Sequence, residues 1–442
     1  MKLRDVLGLN SRNHLYTSRY NTLRGKKIAN SKLLTKETLR KAGVAVPKTY
    51  IKIASNEQLE KFDFLTLPTD FVIKPNNGLG GEGIIVIERQ GEYAGEWIDS
   101  QGEMMTIADL KLHVGDILQG RYSMDDQPDI AYIEERVRVH PTFERYSYHG
   151  TPDIRVIVFN GIPVMAYVRL PTEESGGRAN LFQGAAATGI DMASGITTYG
   201  VHHAKPTEFF PGTRRKLAGI QIPQWEEILE TAIKASEAIG LGYMASDIVL
   251  QMISENSKHQ ITNSKQEPIL AKPMILEVNA QPGLKIQIAN RAGLRERLER
   301  IKGLKVVSLR HGIRVGQALF ADPVLAERGL GRKTVGAFEM VEVRGHNGKT
   351  EIVRAKIDTG ADGSSIDRVL ADELGLLEAD NILYYDYFRN ALGRKKREIV
   401  GVTFVMAGRK IKTQISIADR SRLRTKVLIG RRDLKQFAVV VE

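Results

Sequence analysis

The chain has 442 residues, 42% hydrophobic and 26% charged, which is enough for two or three domains that each bury a core. It has no cysteine, so disulfides, thiolate catalysis and cysteine-ligated zinc are excluded. The net charge of +12 suits anionic partners, but without a zinc finger, RNA-recognition signature or basic-aromatic run, nucleic acid is not favoured. Because there is no long apolar segment and no signal-peptide core, we expect a cytoplasmic protein.

The first predicted element is a short helix over residues 31–43, "SKLLTKETLRKAG". Ser31 is a typical N-cap and Gly43 a typical end. The leucines expected to face inward are Leu33, Leu34 and Leu39.

A glycine-rich loop follows, in "DFVIKPNNGLGGEGIIVIE" at 70–88. Strands are predicted at 71–74 and 84–88, and Lys74 ends the first of them. The glycines match G-x-G-x-x-G, but a dinucleotide-binding fold needs a helix directly after the loop, and a strand follows here. A protein kinase would place the lysine on the next strand and carry H-R-D and D-F-G motifs, which are absent. The order lysine, glycine hairpin, strand instead resembles the ATP-grasp superfamily.

The middle of the chain predicts further strands and one clear helix. The strands are expected at 131–139, 153–159, 163–170, 245–253 and 274–280. "NG" between the second and third of these predicts a hairpin turn. The helix is expected at 223–240, with an apolar stripe of Trp225, Ile228, Leu229, Ala232 and Ile233. Residues 254–268 are polar and aperiodic, which predicts a surface excursion.

Oxygen-bearing side chains on two of these strands predict a magnesium site. Glu277 and Asn279 are two apart on a strand, so they share one face while Val278 points to the other. Asp247 lies on the preceding strand. Two carboxylates and an amide oxygen suit Mg²⁺, or Mn²⁺, shared with nucleotide phosphates.

Together, "SKLLTKETLRKAGVAVP", "FVIKPNNGLGGEG" and "ILEVNAQPGL" resemble ATP-grasp ligases over about residues 10–320. The chain is most similar to RimK-like proteins, the α-L-glutamate ligase-like group. The resemblance implies ATP and Mg²⁺ as cofactors and an acyl phosphate that an amine converts to an amide. The implied phosphate lysines are Lys32 and Lys74, and the implied nucleotide lid contains Gly78, Gly80, Gly81 and Gly83.

The same resemblance implies further site residues. Glu134 and Glu135 would lie at the adenine hinge, and Arg155 would contact the transferred phosphate or the acceptor carboxylate. Residues implied to line the acceptor pocket are Arg169, Arg178 and Asn180. The alternative for each arginine is a surface salt bridge. For His202 and His203, a loop or packing role is favoured over catalysis.

Beyond a predicted linker at 326–336, short alternating runs predict a separate β domain at 337–442. "AKIDTGADGSSID" places Asp358, Thr359 and Gly360 in a tight turn after an apolar strand. With "KVLIGRRDL" at 426–434, this resembles the retropepsins, specifically the domains labelled ATP-dependent zinc proteases. His346 is the single histidine after the linker, so an ordinary zinc protease site is not expected. Because aspartic proteolysis needs two carboxylates, a peptidase here requires a homodimer.

The expected fold is therefore α+β: a pre-ATP-grasp segment at 1–45, an ATP-grasp domain of two α+β subdomains at 46–325, and a small all-β retropepsin-like barrel. The expected function is ligation of glutamate or another amino acid to a peptide or small acceptor, fused to an aspartic peptidase. The basic segment at 389–397 favours an acidic peptide as the peptidase substrate. The alternatives are an ATP-grasp kinase and a nucleotide-gated scaffold whose β domain binds peptide without cleaving it.

Overall fold

The computed structural model describes residues 2–78, 80–123, 126–252, 271–321, 333–390, 393–435 and 437–440. Two compact units are present. The first comprises Met1–Phe159, Ala166–Ile190 and Ile196–Gly293, and the second comprises Asn160–Met165, Asp191–Gly195 and Leu294–Glu442. The predicted excursion at 254–268 and most of the predicted linker lie outside the described residues. No described helix is long and apolar enough to cross a membrane.

The first unit begins with helical segments. They are Leu3–Asp5, Leu9–Ser11, Arg12–Thr17, Ser18–Tyr20, Leu23–Ala29 and Lys32–Lys41. Ser31 caps the last of these, as predicted, because its hydroxyl accepts a bond from the Leu34 amide. Leu33 and Leu39 are buried as expected, but Leu34 is 41% exposed, so its predicted inward position is wrong. Leu34 lies outside the 3.6-residue stripe that Leu33 and Leu39 define.

A six-stranded antiparallel sheet follows, in the order β1-β6-β2-β3-β4-β5. Its strands are β1 (Thr49–Ile53), β2 (Phe71–Pro75), β3 (Ile85–Gln90), β4 (Glu96–Asp99), β5 (Met104–Thr106) and β6 (Ala131–Glu134). Its helices are Asn56–Lys61, Phe64–Thr66 and Ile107–Leu118. The core between them includes Phe71, Ile87 and Trp97. The strand predicted at 131–139 ends at Glu134, because the chain beyond that point leaves the sheet.

A second antiparallel sheet has the order β11-β10-β9-β8-β7-β12-β13. Its strands are β7 (Asp153–Phe159), β8 (Ile162–Leu170), β9 (Ala186–Ile190), β10 (Thr197–His202), β11 (Lys205–Thr207), β12 (Tyr243–Met252) and β13 (Ala271–Asn279). The associated helices are Pro141–Glu144, Trp225–Ile239 and Ile286–Asn290. The "NG" turn between β7 and β8 is confirmed: Asn160 and Gly161 have φ of 48° and 74°.

The helix Trp225–Ile239 packs on the second sheet through its predicted stripe, all five members of which are buried. Gly240, with φ of 78°, ends this helix in the left-handed conformation. Strands β12 and β13 pair antiparallel with a bulge: Asp247 faces Glu277, but Ile248 faces Ile275. The pairing therefore skips Leu276 on β13.

The second unit is a β-barrel with flanking helices. Its strands are β14 (Lys333–Val335), β15 (Phe338–Arg344), β16 (Thr350–Asp358), β17 (Ser365–Asp367), β18 (Ile382–Asn390), β19 (Gly393–Met406), β20 (Arg409–Ala418), β21 (Val427–Gly430) and β22 (Phe437–Val439). The main sheet has the order β15-β16-β21-β17-β20-β19-β18, and a further pairing of β15 with β19 closes it. Its helices are Leu294–Ile301, Leu309–Phe320 and Arg368–Glu373. Alternate strand residues such as Val341, Val343 and Phe404 fill the interior.

Candidate active site

A cavity of about 910 Å³ in the first unit gathers most of the residues singled out by the sequence. The predicted nucleotide and metal residues that line it are Lys32, Lys74, Gly78, Gly80, Gly81, Glu134, Glu135, Asp247, Glu277 and Asn279. The predicted acceptor residues that line it are Arg155, Arg169, Arg178 and Asn180. The structure thus brings residues from distant parts of the chain into one cleft, while their individual roles remain predictions.

The glycine loop connects β2 to β3, which pair antiparallel, so the loop is the tip of a hairpin. Gly83 has φ of 70°, and a Cβ built there would lie 2.6 Å from Cγ of Tyr122. Only glycine fits this position without strain. The side-chain Nδ2 of Asn180 lies 3.4 Å from the carbonyl oxygen of Gly80, which is also in the loop. The hairpin therefore approaches the 172–184 segment that carries Arg178 and Asn180.

Lys32 stands at the start of its helix, next to the base of the hairpin. Its Nζ lies 2.5 Å from the carbonyl oxygen of Gly78. The Asn76 side chain holds the two elements together, since its Oδ1 accepts bonds from the Ser31 hydroxyl at 3.0 Å and the Leu33 amide at 2.9 Å. Burial lowers the pKa of Lys32, while the nearby Glu277 opposes the shift. Lys32 is thus a cation at the cavity wall, fixed to the hairpin base.

Lys74 contacts a buried carboxylate that also binds a second lysine. Lys74 Nζ lies 2.6 Å from Oε1 of Glu134, and Lys36 Nζ lies 2.6 Å from Oε2 of the same carboxylate. Burial opposes ionisation of Glu134, but the two lysines lower its pKa below the ordinary value. Glu134 therefore acts through its side chain to hold Lys74, a role that the hinge prediction did not include. Glu135 lies beside it and accepts a bond from the Lys48 amide at 3.2 Å.

The predicted metal ligands are neighbours across β12 and β13. Asp247 pairs with Glu277 across the two strands, and the side-chain Nδ2 of Asn279 lies 3.3 Å from Asp247 Oδ2. Val278 is buried on the opposite face, as the two-residue spacing predicts. Within the described residues, the Glu277 carboxylate has no hydrogen bond or ion pair. A half-buried carboxylate that borders the cavity and has no ion-pair partner among the described residues fits Mg²⁺.

Two arginines already engage Asp247. Arg155 binds it in bidentate fashion, with Nε–Oδ1 and Nη2–Oδ2 distances of 2.6 Å. Arg169 contacts Asp247 Oδ2 at 2.8 Å and binds Asp153 with two bonds of 2.6 Å. The four side chains form an alternating network, and all four are buried or nearly so. These arginines are therefore held in place and are not surface ion pairs.

The network separates the pKa values of its two carboxyl groups. Burial raises the pKa of Asp153 to about 6, and Arg169 only partly opposes this. Burial also acts on Asp247, but Arg155 and Arg169 together keep its pKa below the ordinary value. Asp247 is therefore the more firmly ionised of the two at neutral pH.

Sequence reasoning missed three residues of this site. Lys36 and Asp153 are charged residues with ordinary surroundings in the sequence, and only their burial and partners reveal their roles. Arg12 is 8% exposed and donates to the carbonyls of Gln281 and Pro282 at 3.2 and 3.0 Å. It thereby fixes the loop after Asn279. The sequence offers one signal for Lys36: it follows Lys32 by four residues, so the two lysines share one face of a helix.

In the second unit, the Asp-Thr-Gly turn lies at the end of β16. Asp358 Oδ1 accepts bonds from the amides of Gly360 and Ala361 at 3.0 and 3.1 Å. Its other oxygen lies 3.1 Å from Lys356 Nζ, and these contacts lower the pKa of Asp358, with Lys356 making the largest contribution. Thr359 is exposed. A single carboxylate paired with a lysine cannot by itself share a proton as an aspartic dyad does.

Three solved structures are similar to parts of the chain. The ATP-grasp ligase PsnB complexed with a minimal precursor is 15% identical over 63% of this chain and 60% of that chain, with a TM-score of 0.33. D-alanine–D-alanine ligase from Bacillus anthracis with ATP is 13% identical over 64% and 68%, with a TM-score of 0.34. A Legionella pneumophila protein of unknown function is 15% identical over 25% and 92%, with a TM-score of 0.17.

The chain spans about three fifths of the length of the PsnB structure. No curated protein matches the chain. A model of the sugar-transfer associated ATP-grasp family matches residues 11–303. This match includes the helix with Lys32, the glycine hairpin and the strands with Asp247 and Glu277. The chain belongs to the sugar-transfer associated ATP-grasp family.

Proposed function

We propose that the first unit is an ATP- and Mg²⁺-dependent carboxylate–amine ligase. The observation that carries this proposal is the shared cavity, which is lined by Lys32, Lys74 and glycines of the hairpin and also by Asp247, Glu277 and Asn279. Cations and flexible backbone suit a triphosphate, and oxygen ligands suit its metal. The proposal includes that this ligase is of the RimK-like subtype and that the amino acid it transfers is glutamate.

In the proposed reaction, a substrate carboxylate oxygen attacks the γ-phosphorus of ATP, the bond to the β-phosphate oxygen breaks, and ADP leaves. An amine nitrogen then attacks the acyl carbon, inorganic phosphate departs, and the nitrogen loses a proton. Glu277, Asn279 and Asp247 would hold Mg²⁺, which offsets phosphate charge when bound. Lys32 and Lys74 bind phosphate oxygens, and Arg155 and Arg169 orient the carboxylate.

Product mass tests this proposal. Full-length protein is incubated with ATP, Mg²⁺, an amino-acid mixture and small-molecule or peptide extract, and products are compared with a Glu277→Gln variant. A ligase forms ADP together with an adduct that carries the amino-acid mass less one water. Glu237→Gln, which changes an exposed carboxylate on the helix Trp225–Ile239, is the matched control and retains full activity. A product that gains only a phosphoryl group would identify a kinase, and ATP binding without turnover would identify a scaffold.

We further propose that the second unit is a retropepsin-like peptidase that acts as a homodimer on acidic peptides. The support is the turn at Asp358, which follows a barrel strand and presents its carboxylate at the surface with two amide donors. One chain supplies one Asp-Thr-Gly turn, so the second carboxylate of an aspartic dyad must come from another copy. Part of the basic segment at 389–397 lies outside the described residues.

A further inference from the structure

Two consecutive histidines and a glutamate converge beside the active-site cavity. Nε2 of His203 lies 2.8 Å, and Nε2 of His202 lies 3.4 Å, from the same Glu174 oxygen. One donor atom from each of the three residues falls within 4.8 Å of the others. In the part of the chain that the structure describes, no lysine or arginine forms an ion pair with Glu174.

The convergence depends on an unusual turn. Consecutive strand residues normally point to opposite faces of a sheet. Here β10 ends at His202, and the two-residue turn to β11 consists of His203 and Ala204, with φ of 49° and 60°. The left-handed conformation brings the His203 ring to the side of His202, with ring centroids 4.1 Å apart. Both imidazoles therefore face Glu174, which the alternating pattern of a strand would prevent.

We propose that Glu174, His202 and His203 bind a divalent cation of the zinc class. Two imidazole nitrogens and one carboxylate are a common donor set for zinc, while Mg²⁺ prefers oxygen ligands. The fourth position would remain open to water. At present His202 Nε2 lies 2.9 Å from the Gly184 carbonyl, and the cation would replace this contact. The proposal does not depend on the ligase activity.

The site would fix a segment that borders the cavity. Glu174 and Gly184 flank residues 176–182, which line the cavity and carry Arg178 and Asn180. The Thr172 hydroxyl also donates to the Gly184 carbonyl at 2.8 Å, so both ends of the segment meet at the proposed cation. A bound cation would therefore hold this segment in the position in which Asn180 contacts the glycine hairpin.

A second histidine–carboxylate cluster in the chain provides an internal comparison. His346 Nε2 lies 3.2 Å from both Glu378 and Asp380. However, the Arg314 guanidinium lies 3.2 Å from the same Nε2 and 3.3 Å from Asp380. Because a cation already occupies this cluster, we expect no metal there.

Zinc and cobalt titrations test the proposal. Full-length protein is freed of metal and titrated with Zn²⁺ against a chelating dye, in excess Mg²⁺ and without nucleotide. Wild type is expected to bind one Zn²⁺, and Co²⁺ is expected to give the visible absorption of a low-coordinate site. His203→Ala and Glu174→Gln each weaken binding by at least about tenfold, since each removes a ligand. His346→Ala leaves the affinity unchanged.

His203 and Glu174 are half exposed, with side-chain exposures of 51% and 53%, so these variants fold. Hydrogen exchange provides a second readout: Zn²⁺ slows exchange of amides in residues 172–184 in wild type but not in His203→Ala. Equal zinc affinity in wild type and His203→Ala would overturn the proposal. So would loss of the site in His346→Ala alone, or the absence of zinc binding by wild type.

Discussion

At the scale of single residues, the site depends on charges that the sequence could identify only in part. Lys74, Glu277 and Asn279 stand out because glycines or an apolar strand surround them in the sequence. Lys36 does not stand out, since a lysine on an amphipathic helix is usually exposed. It belongs to the site because its side chain is buried and forms an ion pair with Glu134, the last residue of β6.

The Lys36–Glu134 ion pair predicts a loss of stability on substitution. Lys36→Met leaves the buried Glu134 with only Lys74, so the free energy of unfolding of the first unit falls by about 3 kcal/mol. Trp97 and Trp225 are the two tryptophans of the chain, and both lie in the first unit, so their fluorescence in a denaturant titration reports this unit alone. Lys41→Met, on the exposed end of the same helix, is the control. Equal midpoints for the two variants would contradict the prediction.

His113 predicts a pH dependence of stability. Its Nε2 contacts the Gly83 carbonyl at 2.9 Å, and burial lowers its pKa below the ordinary 6.5, although the Gly83 contact opposes this. The unfolded chain therefore takes up a proton before the folded one does. The stability that neutral His113 contributes is complete above pH 6.5 and is lost as the pH falls from there through the lowered value.

His113→Gln keeps a donor for Gly83 but does not titrate. We expect the tryptophan-monitored unfolding midpoint of this variant to drop less than that of wild type between about pH 7 and about pH 5. Drops of equal size in the two proteins would show that His113 does not contribute.

At the scale of elements, strand and helix identity was predictable and some boundaries were not. The strands at 153–159 and 163–170 and the helix at 223–240 follow from periodicity and turn residues, and the structure agrees within two residues. The strand predicted at 131–139 is too long, because the apolar alternation of the sequence continues past Glu134, where β6 ends. Pairing depends on neighbouring strands, which local pattern does not report.

The glycine hairpin predicts a selective effect on nucleotide binding. Gly83→Ala places a Cβ against Tyr122 in a left-handed conformation, so the hairpin shifts and ATP binding weakens by about tenfold. Gly212→Ala is the matched control, since Gly212 has φ of 71° with no atom within 4 Å of a Cβ built there. Calorimetry of ATP binding with Mg²⁺ compares them, and unchanged affinity for Gly83→Ala would contradict the prediction.

At the scale of the whole molecule, the change in pattern after the linker predicts a β domain at 337–442, whereas the main part of the second structural unit begins at Leu294. The residues of the helices Leu294–Ile301 and Leu309–Phe320 group with the barrel residues in the second unit. Their amphipathic pattern is equally compatible with either unit, so sequence periodicity does not assign them. The proposed site likewise needed the fold, because Arg12, Asp153 and Asp247 are far apart in the chain.

The proposed peptidase predicts that the two units can be inactivated separately. Asp358→Asn abolishes cleavage of acidic peptides and leaves ADP formation unchanged, while Glu277→Gln has the opposite effect. Cleavage per chain rises with protein concentration if two copies are needed. Cleavage that survives Asp358→Asn, or does not vary with concentration, would reject the dimeric aspartic mechanism.

The skipped residue on β13 determines what the cavity wall is made of. Because Leu276 has no opposite partner, it and Glu277 both border the cavity, although consecutive strand residues should diverge. An apolar surface and a metal-binding carboxylate thus come from adjacent positions. Deleting Leu276 would leave Glu277 opposite Asp247 and Ile275 opposite Ile248 in a regular ladder, and it would remove the apolar side chain from the cavity wall. A one-residue irregularity therefore lets two adjacent positions of one strand place an apolar side chain and a charged side chain on the same cavity wall.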